Sequence, residues 1–512
     1  MKLGIAIGFA ALSGFVALGY ELLWYRVVAV LIWGVASSFG LVLGAYLGGI
    51  AVGAYFTGLL CRRGEAAGDA RYMRRLAIFV ALANVASALV VPSFVWSARF
   101  TDYRIGLTMV AVGAALLGAV LPLLAHFGIE PDHRAGARLS YIYLANIVGS
   151  ATGSWVTGFV LMDALTLRQI AVVLAVAGFV LVALLVLLGA RTKVGRGVGV
   201  GAAALLAGLA FALMPRLYDR IWERLLYKAT DDGKRRFVTV IENKSGVIAV
   251  TTDGAVFGGG AYDGILNTSL SRDRNVVMRA YAIGALHPAP KRVLMIGLAS
   301  GSWAQVVANH PLLEQLTVVE INPGYLTLIA QHPGVAGILS NPKVSIVIDD
   351  GRRWLRRNDD RKFDFIVMNT TWNWRAHATS LLSVEFMQLA RQHLAPGGVL
   401  YLNTTGSKDV QLTAAKTFPY ALRVMNLVAL SDRPVTFDRD RWRELLASYR
   451  IEGKPALNLG DAADQKIYAQ LLAFDDLETR ADILKHTQQA TVITDDNMVT
   501  EWRKPLRYPD EP

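Results

Sequence analysis

The chain has 512 residues, 54% of them hydrophobic and 18% charged, and its mean hydropathy of +0.38 argues against an ordinary soluble protein of several domains. Residues 1–214 hold 15 Lys+Arg and 7 Asp+Glu, residues 215–512 the remaining 37 and 33, so the first part reads as membrane and the second as a soluble domain. The formal net charge of +12 falls mostly in loops between apolar runs, where it sets orientation rather than binding nucleic acid, and the one cysteine, Cys61, excludes an intramolecular disulfide and any multi-cysteine metal site.

About seven apolar stretches of spanning length are expected, near residues 3–24, 36–60, 76–98, 105–127, 140–162, 169–190 and 197–214. The first continues through Glu21 and Trp24 without a small-residue cleavage site, so it reads as a retained span and not a signal peptide. Gly44, Gly48, Gly49 and Gly53, and again Gly149, Gly153 and Gly158, recur at helical spacing and let helix backbones approach in lipid. Asn84 and Asn146 are the polar residues of later spans. Glu21 and Arg26 read either as a structural ion pair or as part of a substrate or ion path.

Positive-inside counting places loops 61–75 (Arg62, Arg63, Arg71, Arg74, Arg75), 128–139 (Arg134, Arg138) and 190–196 (Arg191, Lys193, Arg196) in the cytoplasm. With seven spans that leaves the soluble half outside. A re-entrant segment at 25–35, or a shallow run at 197–214, reverses the side. The location expected is the bacterial inner membrane, with the soluble domain cytoplasmic.

Beyond Pro215, residues 217–228 have helical apolar spacing and read as a helix resting at the membrane surface or as a plain linker helix. Residues 237–254 alternate around Asn243–Gly246 as a hairpin, followed by a loop and strand through Tyr262 and Asp263. From Lys291 strands alternate with helical segments: RVLMIG, LTVVEIN, VSIVIDD, FDFIVMN and GVLYLNT. Such βα units predict a parallel, doubly wound sheet. The first strand enters a turn with Gly297 and Gly301, the second ends in Glu320, placed to accept ribose hydroxyls, and the third ends in Asp349 and Asp350. A glycine turn, an acid and another acid on three successive strand ends point to a nucleoside ligand. The alternative is that the acids only cap helices.

These segments resemble the spermidine synthase (polyamine aminopropyltransferase) pattern. GLASGS, VVEINP, IDDGRRWL, FDFIVMN and LAPGGVL stand where that family has roughly GGGDGG, VEIDP, GDG, YDVIIVD and L-x-x-GG, and AYDGILNT resembles its DGVIQLT strand. SGFVALGYELLWYRVV, YLANIVGSATGSWVTGFVL and ITDDNMVTEW are similar to the transmembrane members of the superfamily. The resemblance covers nearly the whole chain except residues 410–490. It implies three parts: a multi-pass helical membrane domain at 1–214, a juxtamembrane helix and β-hairpin segment at 215–290, and a Rossmann-like α/β doubly wound domain at 291–512. It also implies a transferase that uses S-adenosylmethionine or its decarboxylated form, a small-molecule amine or lipid acceptor, no metal, and a homodimer. The donor-binding residues it implies are Gly297, Ser300, Gly301, Glu320, Asp350, Gly351 and Asn369, with Tyr262, Asp263, Trp372 and Trp374 on the acceptor side.

Two family acids are missing. The Asp of GGGDGG, which holds the donor amine, is Ser300, and the Asp ending YDVIIVD, which helps deprotonate the acceptor, is Asn369. The Tyr-His-Glu run is replaced by NVVMRA, with cationic Arg279. Asn369 can orient a substrate but cannot take its proton, so His377 and Asp495 are the candidate replacements in catalysis. A site poorer in acids should tolerate the carboxylate of intact S-adenosylmethionine. The alternatives are a methyltransferase and a non-catalytic nucleoside sensor or transport protein.

Overall fold

A computed structural model describes residues 3–62, 70–130, 132–190, 192–369 and 372–503. Arg63 and Arg191, named above, lie outside them, as do the side chains of Arg62 and Arg71. The chain forms two compact units. One runs to Arg236 and takes in Glu242–Gly246; the other comprises Phe237–Ile241 and the chain from Val247 onward.

Among the described residues of the first unit, seven helices are long and apolar enough to cross a membrane: Leu3–Leu31, Ser37–Cys61, Met73–Ala98, Arg104–Gly128, Ala135–Ala164, Leu167–Gly189 and Lys193–Leu217. The first continues past Arg26, so residues 25–35 are not a separate re-entrant piece. Glycines bring backbones together at two crossings. A Cβ on Gly53 would lie 1.8 Å from the Ala115 carbonyl oxygen, and one on Gly149 would lie 1.9 Å from that of Ala11. Gly44 and Gly48 meet nothing within 4 Å, so only part of the glycine pattern is packing.

Polar groups cross-link this bundle. Tyr20 donates to Asn84 Oδ1 at 3.0 Å, Asn84 Nδ2 donates to the Ala175 carbonyl at 2.7 Å, and Trp24 Nε1 donates to the Ser87 carbonyl at 3.2 Å. Glu21 and Arg26 do not pair. Five residues apart on one helix they point roughly 140° from each other, and Arg26 donates instead to the Lys244 carbonyl at 3.0 Å. The apolar residues of 217–228 form a short helix, Ile221–Tyr227, whose Ile221, Trp222, Leu225 and Leu226 are buried within the protein.

The second unit opens with a four-stranded sheet in the order β1-β2-β3-β4, made of Phe237–Asn243, Gly246–Thr251, Ala255–Gly258 and Ala261–Ile265. The predicted hairpin is β1-β2. The five predicted strands are β5 (Arg292–Ile296), β6 (Gln315–Glu320), β7 (Val344–Ile348), β8 (Phe363–Met368) and β9 (Leu394–Asn403). The stretch 410–490 adds β10 (Tyr420–Val424), β11 (Leu427–Ser431), a small β12-β13 pair (Arg450–Ile451 and Lys454–Pro455) and β14 (Leu477–Thr479).

The large sheet has the order β14-β10-β11-β9-β8-β5-β6-β7. Strands β5 to β9 pair in parallel, but β11 pairs antiparallel with β9 and β10, and β14 antiparallel with β10. The sheet is therefore mixed, which corrects the wholly parallel expectation. The cause lies in Met425–Asn426, a two-residue turn too short for a helical crossover, so the strand it starts must run back beside its predecessor.

Alternation within the strands fills both faces. Val293, Met295, Phe365, Val367, Val399 and Tyr401 enter one apolar core, while Leu294, Ile296, Ile366, Met368, Leu400 and Leu402 enter the other. Burial on both faces explains why these strands read as near-continuous apolar runs. Replacing Asn84 with Ala removes two cross-links of the helical unit and should lower its stability by about 1–2 kcal/mol; detergent-solubilised protein followed by thermal unfolding tests this, and an unchanged midpoint would refute it.

Candidate functional site

The sheet reverses its winding between β5 and β8: β6 and β7 follow on one side of β5, β8 and β9 on the other. The loops leaving the carboxyl ends of β5 and β8 must therefore diverge, which opens a crevice there. The turn after β5 lines it. Gly297, Ala299 and Gly301 have φ of 91°, 46° and 75°, so the backbone turns tightly before the helix Ser302–Ala308. At Gly301 a Cβ would also lie 2.8 Å from Ile329 Cδ1, so only glycine fits.

Glu320, at the end of β6, holds this turn. Its Oε2 accepts the Leu298 N–H at 2.7 Å and its Oε1 the Asn322 N–H at 2.8 Å. The side chain is 5% exposed, and burial raises its pKa despite these backbone bonds. The Ala299 N–H also bonds this carboxylate, so of its four lone pairs one is left for a ribose hydroxyl. Ser300 and Ser302 tie the turn to β4: Ser300 Oγ donates to Ser302 Oγ at 3.1 Å, and Ser302 Oγ donates to the Ile265 carbonyl at 2.7 Å.

The acids after β7 behave differently from expectation. Asp350 Oδ1 accepts the Arg353 N–H at 2.7 Å and caps the helix Gly351–Arg357, while Asp349 pairs with Arg353. Asp350 thus caps a helix through one carboxylate oxygen and Asp349 is an ion-pair partner, while Gly351 is buried with a Cβ position 2.5 Å from Ile296 Cγ2.

On the other flank, Asn369 follows β8. Its Oδ1 accepts from Asn403 Nδ2 at 2.9 Å, and Asn403 Oδ1 accepts from Asn426 Nδ2 at 2.9 Å. Asp263 on β4 accepts from the Tyr325 hydroxyl and lies 3.6 Å from Arg375. Burial raises its pKa, opposed by Arg375 and Tyr325. Burial also pushes the Tyr262 hydroxyl up to about 12. Trp372 Nε1 donates to the Tyr262 carbonyl at 3.1 Å, and its ring stacks on Trp374 with centroids 5.9 Å apart. The tryptophan loop thus docks on the strand that carries Asp263. Arg375, Tyr325, Asn403 and Asn426 were not singled out from sequence; Arg375 directly follows Trp374, which was, and the other three carry no local signal.

Two candidate catalytic residues fall elsewhere. The His377 side chain is exposed, and it is the backbone N–H that donates, to Glu501 at 2.9 Å. Asp495 forms a two-pronged pair with Arg352, at 2.8 and 2.5 Å, and accepts from Ser383 at 2.6 Å. The Arg352 hydrogen bonds hold its pKa below the ordinary carboxylate range. Asp495 is thus an anchor for the C-terminal segment, which corrects its assignment as a base.

In doubly wound α/β domains the crevice at such a switch point is where nucleotide-type ligands generally bind. Residues 280–429 match the spermine/spermidine synthase domain. The chain is 35% identical over 143 residues to a polyamine aminopropyltransferase of Erwinia tasmaniensis, covering 27% of this chain and 49% of the relative. It is 32% identical over 115 residues to a spermidine synthase of Dictyostelium discoideum, covering 22% and 40%. The chain thus spans about half the length of these curated relatives or less. A polyamine aminopropyltransferase of Mycobacterium tuberculosis aligns over 422 residues at 26% identity, covering 77% of this chain and 76% of the relative. That alignment is longer than residues 215–512 and so extends into the helical unit.

Glu320→Ala should weaken nucleoside binding by about 1.5–3 kcal/mol, the range for hydrogen bonds to a charged group; calorimetry with methylthioadenosine reads this, and unchanged affinity would remove the ribose assignment. Asp495→Asn should destabilise the protein at neutral pH. Because the folded pKa of Asp495 is lowered, its stabilisation is complete above the ordinary value of about 3.9 and is lost as pH falls through the folded value. The gap in unfolding midpoint between wild type and variant should therefore close on acidification, and a gap that widens would contradict the anchor role.

Proposed function

We propose that the chain is a membrane-integrated transferase that moves a propyl-type group from S-adenosylmethionine or its decarboxylated form to an amine acceptor. The observation that carries this reading is the convergence of the Gly297–Gly301 turn, Glu320 and Asn369 on one switch point, within a domain whose relatives are named for aminopropyl transfer. The seven apolar helices support membrane integration and make a membrane-borne amine or lipid an attractive acceptor.

The chemistry is a displacement. The acceptor nitrogen forms a bond to the carbon attached to the sulfonium, the carbon–sulfur bond breaks with its electron pair remaining on sulfur, and the nitrogen gives up a proton. Alkylamines have pKa values of about 10, so at neutral pH most must lose a proton before attack. Asn369 can orient that nitrogen through its amide. Asp263 is the acceptor-side carboxylate suited to the proton: burial raises its pKa, and it is close enough to Glu320, the acid that holds the turn, to act on it electrostatically. Proximity and exclusion of water supply most of the rate, because a sulfonium is already a good leaving group.

Full-length protein incubated with either donor and candidate amines should release methylthioadenosine. Release of S-adenosylhomocysteine would show methyl transfer instead, and nucleoside binding without either product would establish a sensor.

A further inference from the structure

Arg279 is 7% exposed, and among the described residues it makes no direct ion pair, Asp273 being the carboxylate whose field reaches it. Its Nε donates to the Val276 carbonyl at 2.8 Å, Nη2 to the Asn275 carbonyl at 2.7 Å and Nη1 to Asn426 Oδ1 at 2.5 Å. Three of its five N–H groups are used, which leaves one on each terminal nitrogen. The guanidinium lies over the Trp303 ring, 5.5 Å from the centroid. Two buried donors on the same side of the sheet, Trp303 Nε1 and the Tyr401 hydroxyl, have no hydrogen-bond partner. A buried cation whose hydrogen bonds all go to neutral carbonyls and amides, beside idle donors and with no direct carboxylate partner, is costly, and such groups concentrate where a ligand completes them.

Its position ties it to both flanks of the crevice. Asn275, whose carbonyl it holds, has Nδ2 3.5 Å from the Cβ position of Gly264, next to Ser300. Asn426, which it also holds, leads through Asn403 to Asn369. We propose that Arg279 receives the carboxylate of a substrate lying beside the nucleoside, so that this site selects an amino-acid-bearing compound over its decarboxylated counterpart. The inference rests on the nucleoside reading above and specifies its substrate class. The carboxylate has two sources, the tail of an intact sulfonium donor or an amino-acid acceptor.

Calorimetry on the full-length, detergent-solubilised protein separates them. In the first arm, S-adenosylmethionine should bind at least tenfold tighter than its decarboxylated form if the donor carries the carboxylate. In the second, with methylthioadenosine bound, ornithine should bind at least tenfold tighter than putrescine if the acceptor carries it. Whichever preference exists should vanish in Arg279→Gln and persist in part in Arg279→Lys, while methylthioadenosine, which lacks a carboxylate, still binds both variants and reports an intact fold. Equal affinities in both arms of the wild type, or a preference that survives Arg279→Gln, overturn the proposal without depending on how the variants fold. Failure of the wild type to bind methylthioadenosine or either sulfonium overturns the nucleoside reading itself, and this inference with it.

Discussion

Two neighbouring parallel strands whose connections leave on opposite sides of a sheet cannot close the space above their carboxyl ends, and in this chain those strands are β5 and β8. Everything assigned to the site depends on that divergence. It sets the glycine turn on one flank and Asn369 on the other. The buried Glu320 carboxylate then fixes the turn by accepting the N–H groups of Leu298 and Asn322. Without that acid, the backbone donors of the turn would face an apolar interior, so Glu320 is what holds the turn in its tight conformation.

The electrostatic character of the crevice departs from that of a polycation receptor. Ser300, Asn369, Asn403 and Asn426 are neutral, Glu320 is taken up by the turn, Asp263 is matched with Arg375 and Tyr325, and Arg279 brings a buried positive charge balanced only through the field of Asp273. Between unit charges about 4 Å apart at an effective dielectric near 20, the interaction is roughly 4 kcal/mol before desolvation. A site that replaces acids by amides and adds a guanidinium therefore changes which substrate charges it favours, even where the backbone frame is retained.

The helical unit follows a different logic. Where nearly every face of a helix is apolar, apolar side chains alone give it little reason to choose one neighbour, so specificity comes from close backbone approach and from a few polar bonds. Gly53 and Gly149 supply the first, and the Tyr20–Asn84–Ala175 chain supplies the second. Gly44 and Gly48 obey the same spacing yet touch nothing, because a periodic stripe wider than the contact leaves some members outside it.

Residue order alone was enough for the seven apolar helices, the β1-β2 hairpin, the strands β5 to β9, the Gly297–Gly301 turn and the acid ending β6, since each is written in local periodicity or in the conformational needs of a few adjacent residues. The antiparallel extension of the sheet, the anchoring of Asp495 by Arg352 across 143 positions of chain, and the exposure of His377 were decided by tertiary structure. So was the gathering of Arg279, Asn426, Asn403 and Asn369 into one polar row. The reason is physical: whether a charged or amide side chain is buried, paired or left unsatisfied depends on partners distant in sequence, and no local pattern records which of them the fold brings within hydrogen-bonding distance.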